Sequence, residues 1–125
     1  MTSAKLGSVF YFLWGVLHLG AAFEQFTLGR SLEFGLVQGK INQGAWDLLV
    51  FSLVAIVVAV NKNWKNDVLG YWINLIVVSA ADIGFVIFVL APRHVALFPG
   101  ILGPMLWIFA IVFSTIGIST KQENG

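Results

Sequence analysis

The chain contains no cysteine and little charge. Without thiols it can form no disulfide, no thiolate metal site and no cysteine nucleophile. Seven basic and six acidic side chains, 10% of 125 residues, leave a net charge of +1. The lysines are spread along the chain, so the basic patch that nucleic acid requires is missing. An average soluble domain carries roughly 25% charged residues. Here apolar residues reach 58%, more than a core of this size can hide from water. No internal repeat and no low-complexity segment is visible.

What is present is four apolar runs of spanning length. A helix needs about 20 residues to cross roughly 30 Å of hydrocarbon. The runs place spans at about residues 6–26, 41–60, 68–90 and 97–118. The sequence therefore predicts one domain over residues 1–125, an all-α integral membrane four-helix bundle with one longer loop between spans one and two. Residues 1–23 superficially resemble a secretory leader. Their apolar stretch is too long for one and no small-residue cleavage site follows, so a retained first span is expected.

The connections are uneven. NKNWKND, residues 61–67, reads as a short polar hairpin, and APRHVA, residues 91–96, as a stop made by Pro92 and Arg93. Pro104, near the start of the last span, is expected to kink it. Residues 27–42 form the long connection, with Gly29, Gly35 and Gly39 separated by Leu32, Phe34 and Leu36. Its apolar content suggests that it packs back on the bundle mouth, as a short interfacial helix or as a lid. Lys5, Lys62, Lys65 and Lys121 fall on one side of the membrane, with Arg30, Lys40 and Arg93 on the other. Four against three biases both termini towards the cytoplasm. Trp64 and Tyr71 suit an interfacial aromatic belt on the lysine side.

The stretch GVLHLGAAFEQF, residues 15–26, puts His18, Glu24 and Gln25 inside a hydrocarbon-spanning run. Depth arithmetic at 1.5 Å per residue sets His18 and Asp82 roughly 12 Å below the surface that carries the long connection, and Asp47 roughly 9 Å below it. Glu24 lies nearer the mouth. Three titratable groups from three helices thus share one slab. Periodicity supports inward stripes of Tyr11, Trp14, Gly15, His18, Ala22 and Gln25 on the first span, Gln43 and Asp47 with adjacent Trp46 on the second, and Tyr71, Asn74, Ser79 and Asp82 on the third. One ionisable group at bilayer depth costs about 2.5 kcal/mol or more, so groups kept there pair, hold protons or serve a function. The plainer reading, that Asn74, Ser79, Ser114 and Thr115 bridge helices, holds for the uncharged members.

These residues make Asp82, Asp47, His18 and Glu24 the candidate catalytic set. Tyr11, Trp14, Gln43, Trp46, Asn74 and Trp107 are candidate substrate-binding residues, with aromatic walls suited to a lipophilic small molecule. No cofactor or metal is expected. A haem lacks two facing helical ligands, because His94 lies beyond Pro92, and no helix pairs ligands as Glu-x-x-His does. The reading favoured is an intramembrane acid–base enzyme such as an isomerase, cyclase or epoxide-opening hydrolase. The alternatives are a proton-coupled transporter or ligand-binding membrane protein, and an accessory subunit of a membrane complex. Membrane lipid is an expected neighbour, and assembly into a homo-oligomer is left open. In number and length of spans the chain resembles small multidrug-resistance transporters. That layout implies one acidic residue in the first span, whereas the acids here are spread over three helices.

Overall fold

A computed structural model describes residues 2–125, and these are helical apart from short connections. Helix α1 spans Ser3–Arg30 and α2 spans Leu36–Asn61. A 3-10 turn, Asn63–Lys65, leads to α3, Val68–Phe85, which continues as a π-helical turn over Val86–Leu90. A single turn, α4 (Leu97–Gly100), precedes α5, Leu102–Asn124. Four segments, in α1, α2 with its 3-10 turn, α3 with its π turn, and α5, are long and apolar enough to cross a membrane. The all-α four-helix bundle read from the sequence is the fold observed.

Helix α1 packs along α2 and α5, and α3 packs between the same two, so α1 and α3 face each other diagonally. The contacts rest on small residues, because helices surrounded by lipid gain from close van der Waals approach and interhelical hydrogen bonds. Buried Gly7 meets Ser114, and a Cβ on Gly117 would lie 2.9 Å from the Ala4 backbone nitrogen. On the other side a Cβ on Gly15 would lie 3.0 Å from the Ser52 carbonyl oxygen. Ser8 Oγ donates to the Ala59 carbonyl at 2.7 Å, fastening α1 to α2. Large side chains such as Leu13, Val16, Leu53, Val57, Ile76 and Phe109 point outward, as a hydrocarbon solvent allows.

The lysine end is tied by polar contacts. Asp67 caps α3 by accepting from the Gly70 amide at 3.0 Å. That bond, assisted by Lys62, holds its carboxyl below the ordinary range. Asn66 adopts a left-handed conformation with φ of 56°, which asparagine tolerates. Its side chain donates to the Gly117 carbonyl at 2.8 Å, and Lys121 Nζ donates to the Asn66 carbonyl at 3.0 Å. Asn63 turns inward from the loop, and its Oδ1 accepts from Asn74 Nδ2 at 2.7 Å.

Two expectations are corrected. The connection assigned to residues 27–42 shrinks to Ser31–Gly35, because α1 runs on to Arg30 and α2 already starts at Leu36. Gly29 is a helix-contact residue pressed on Asn42 rather than a loop signal. Gln38 Nε2 donates to the Gly29 carbonyl at 3.0 Å and the Leu32 carbonyl at 3.2 Å, tying the start of α2 to the end of α1 and to the turn after it. Phe34, at the tip, is 100% exposed and covers nothing, so this connection does not form a lid. Pro104 does not kink the last span. The break lies at Phe98, whose φ of −112° and ψ of 128° are non-helical. Pro104 sits in the first turn of α5, where a missing N–H costs no intrahelical bond.

Candidate functional site

The diagonal between α1 and α3 is bridged by one polar unit. Trp14 Nε1 donates to Asp82 Oδ2 at 3.0 Å, and both residues are fully buried. His18, one turn further along α1, stacks on the Trp14 indole with ring centroids 3.9 Å apart and an interplanar angle of 20°. Its Nδ1 lies 2.8 Å from the Trp14 carbonyl oxygen and its Nε2 lies 3.6 Å from Asp82 Oδ1. From α5, Gly103 closes on the same ring. A Cβ there would stand 2.9 Å from His18 Cε1 and 3.2 Å from Nε2.

Each nitrogen of His18 has a role dictated by its partner. A carbonyl oxygen only accepts, so Nδ1 carries a hydrogen. In a neutral imidazole Nε2 is then an acceptor, and it faces a carboxylate oxygen that is also an acceptor. Asp82 Oδ1 makes no other hydrogen bond. One proton on either atom turns this opposition into an attractive contact. With that proton the pair is net neutral, as acid and base or as an ion pair. Without it the interior holds a full negative charge, which apolar surroundings penalise by several kcal/mol. The two acceptor atoms thus face each other across 3.6 Å with no hydrogen between them supplied by any other group.

The other candidates lie elsewhere. Asp47 and Gln43 are exposed on α2, and Trp46 is 59% exposed. The buried positions of that helix are Ala45, Ser52, Ala55 and Ala59, and Asp47 lies about 200° around the helix from Ala45 at 100° per residue. The predicted inward stripe on α2 is thus the outward one. Glu24 is exposed as well. No three of the described His, Asp and Glu side chains converge, so the three-helix cluster reduces to His18 and Asp82.

Tyr11 is buried beside Trp14 in the core cluster. Asn74 is buried but engaged, donating to Asn63 Oδ1 and to the Ala55 carbonyl at 3.1 Å. Half-buried Trp107 donates to Ser79 Oγ at 2.9 Å, joining α5 to α3. Gly103 was not among the candidates. Its signal was the row of small residues Gly103, Ala110, Ser114 and Gly117 at spacings of seven, four and three, which marks the contact face of α5. A cavity of about 240 Å³ lies between α1 and α2 towards the lysine end, lined by Ser8, Val9, Phe12, Val60 and Trp64, and the pair does not line it. No family model, curated protein or solved structure matches this chain.

Proposed function

We propose that the chain is a multi-pass integral membrane protein that couples the binding of a lipophilic cation to release of the proton held between His18 and Asp82. The observation that supports this is the opposition of Nε2 and Oδ1 at 3.6 Å with Nδ1 committed elsewhere. A site that needs one positive charge to be neutral accepts it as a proton or as a cation. Asp82 lies eight residues before Leu90, roughly 12 Å from that end of the bundle, and the connection after Leu90 is exposed throughout residues 91–99. Entry from that side is part of the proposal, as is placement of both termini in the cytoplasm with the four lysines. The acid–base enzyme reading rested on acids from three helices around a chamber. With Asp47 and Glu24 facing outward, a single interior acid fits proton–cation exchange better.

Tetraphenylphosphonium binding to the purified protein in detergent tests this. The expected affinity rises about tenfold per pH unit while cation and proton compete, with one proton released per cation bound. Asp82→Asn is expected to abolish binding. Absence of binding at any pH, binding indifferent to pH, or binding retained in Asp82→Asn overturns the proposal.

A further inference from the structure

We propose that the groove between α1 and α2 at the lysine end is a binding site for one anionic phospholipid. The groove is open to the surface, offers about 240 Å³ and is lined by Ser8, Val9, Phe12, Val60 and Trp64. Its one hydroxyl is already used, since Ser8 Oγ donates to the Ala59 carbonyl at 2.7 Å. Apart from the Trp64 indole N–H, the lining side chains offer a polar ligand no free partner, and the chemistry that fits is an acyl chain. From Ser8 to Phe12 the groove rises about 6 Å along α1, enough for the upper part of one chain.

The rim of the groove is cationic. Lys5 Nζ stands 5.1 Å from the centroid of the Trp64 ring, and Trp64 is itself a wall. Lys65 follows Trp64 directly and Lys62 precedes it by two residues. Lys62 reaches Asp67 at 4.0 Å and Lys121 is bonded to the Asn66 carbonyl. Lys5 and Lys65 meet no carboxylate among the described residues. Two uncompensated ammonium groups at the headgroup level, above an apolar slot, complement a phosphate whose headgroup adds no positive charge. A zwitterionic headgroup brings its own cation and gains less. Basic residues at a membrane surface attract anionic lipid. The site does not involve His18 or Asp82, so its success or failure is independent of the proton pair.

Native mass spectrometry of the full chain, with dioleoyl phosphatidylglycerol and dioleoyl phosphatidylcholine at equal concentration, tests the site with the tails held constant. The expected result is about tenfold greater retention of phosphatidylglycerol. Lys5→Gln combined with Lys65→Gln should bring the two lipids to parity. Val9→Trp, which fills the slot from an outward-facing position, should lower retention of both lipids while leaving the charges in place. Excess inorganic phosphate should displace neither. Equal retention of the two lipids by the unaltered chain, a preference that survives the double lysine change, undiminished retention in Val9→Trp, or displacement by phosphate would each overturn the proposal.

Discussion

Asp82 and Trp14 join two helices that lie diagonally across the bundle. The indole N–H of Trp14 reaches Oδ2 of Asp82 at 3.0 Å across the diagonal of the bundle. Because both side chains are fully buried, the bond is structural as well as electrostatic, and the two roles can be separated by substitution.

Asparagine at position 82 keeps one carbonyl oxygen to accept from Trp14 and offers an amide N–H to His18 Nε2. It keeps both contacts and removes the carboxyl group. The thermal stability of Asp82→Asn in detergent should therefore stay within about 1 kcal/mol of the unaltered protein. Asp82→Ala leaves the Trp14 N–H buried without an acceptor, which costs about 1–3 kcal/mol. A thermal shift assay should rank alanine well below asparagine. Equal losses in the two variants would show that the Trp14–Asp82 bond does not hold the bundle together.

How far the sequence announced this site depends on the helix. On α1 and α3 the polar and aromatic residues fall on the same face as the small ones, so periodicity placed Trp14, His18, Asn74 and Asp82 on the inward faces where they lie. On α2 the two signals disagree. Gln43 and Asp47 form a polar stripe, whereas Ala45, Ser52, Ala55 and Ala59 form the close-packed face. Between helices in lipid, small residues mark the interface more reliably than polar ones, since lipid is as apolar as leucine and close approach is what is gained. The same physics undid the long connection. Gly29 looked like a turn residue but makes room for Asn42. The facing of His18 Nε2 and Asp82 Oδ1 could not be read, because it depends on which nitrogen of His18 meets the Trp14 carbonyl.

Asp67 gives a pH dependence outside the membrane-spanning helices. The Gly70 amide, and secondarily Lys62, hold its carboxyl below the ordinary value of 3.8. A carboxyl depressed on folding contributes stability above its unfolded value and loses it as pH falls through the folded one. Below about pH 4 the unaltered protein should therefore lose thermal stability progressively. Asp67→Asn retains a capping oxygen but no titratable group, and its melting temperature should fall less between about pH 5 and pH 2. A parallel decline in the two proteins would show that this cap contributes nothing to acid sensitivity.

Gly103 sets the position of the His18 ring. Its missing side chain leaves just enough room for the imidazole, and a methyl group there would stand 2.9 Å from Cε1 and 3.2 Å from Nε2. Those distances are too short for carbon, so Gly103→Ala must displace either the ring or α5. The ring is sandwiched against Trp14 on its other side and has little freedom to retreat. Overpacking of this kind costs about 1–3 kcal/mol. The expected outcome is a lower melting temperature together with a shifted Nε2 resonance in spectra of nitrogen-15 histidine-labelled protein. Gly84→Ala is the control, because a Cβ at that position meets no atom within 4 Å, and it should leave both readouts unchanged. If Gly103→Ala destabilises the protein while the Nε2 resonance stays in place, α5 has moved instead of the imidazole, and Gly103 is a helix-packing residue with no hold on the proton pair.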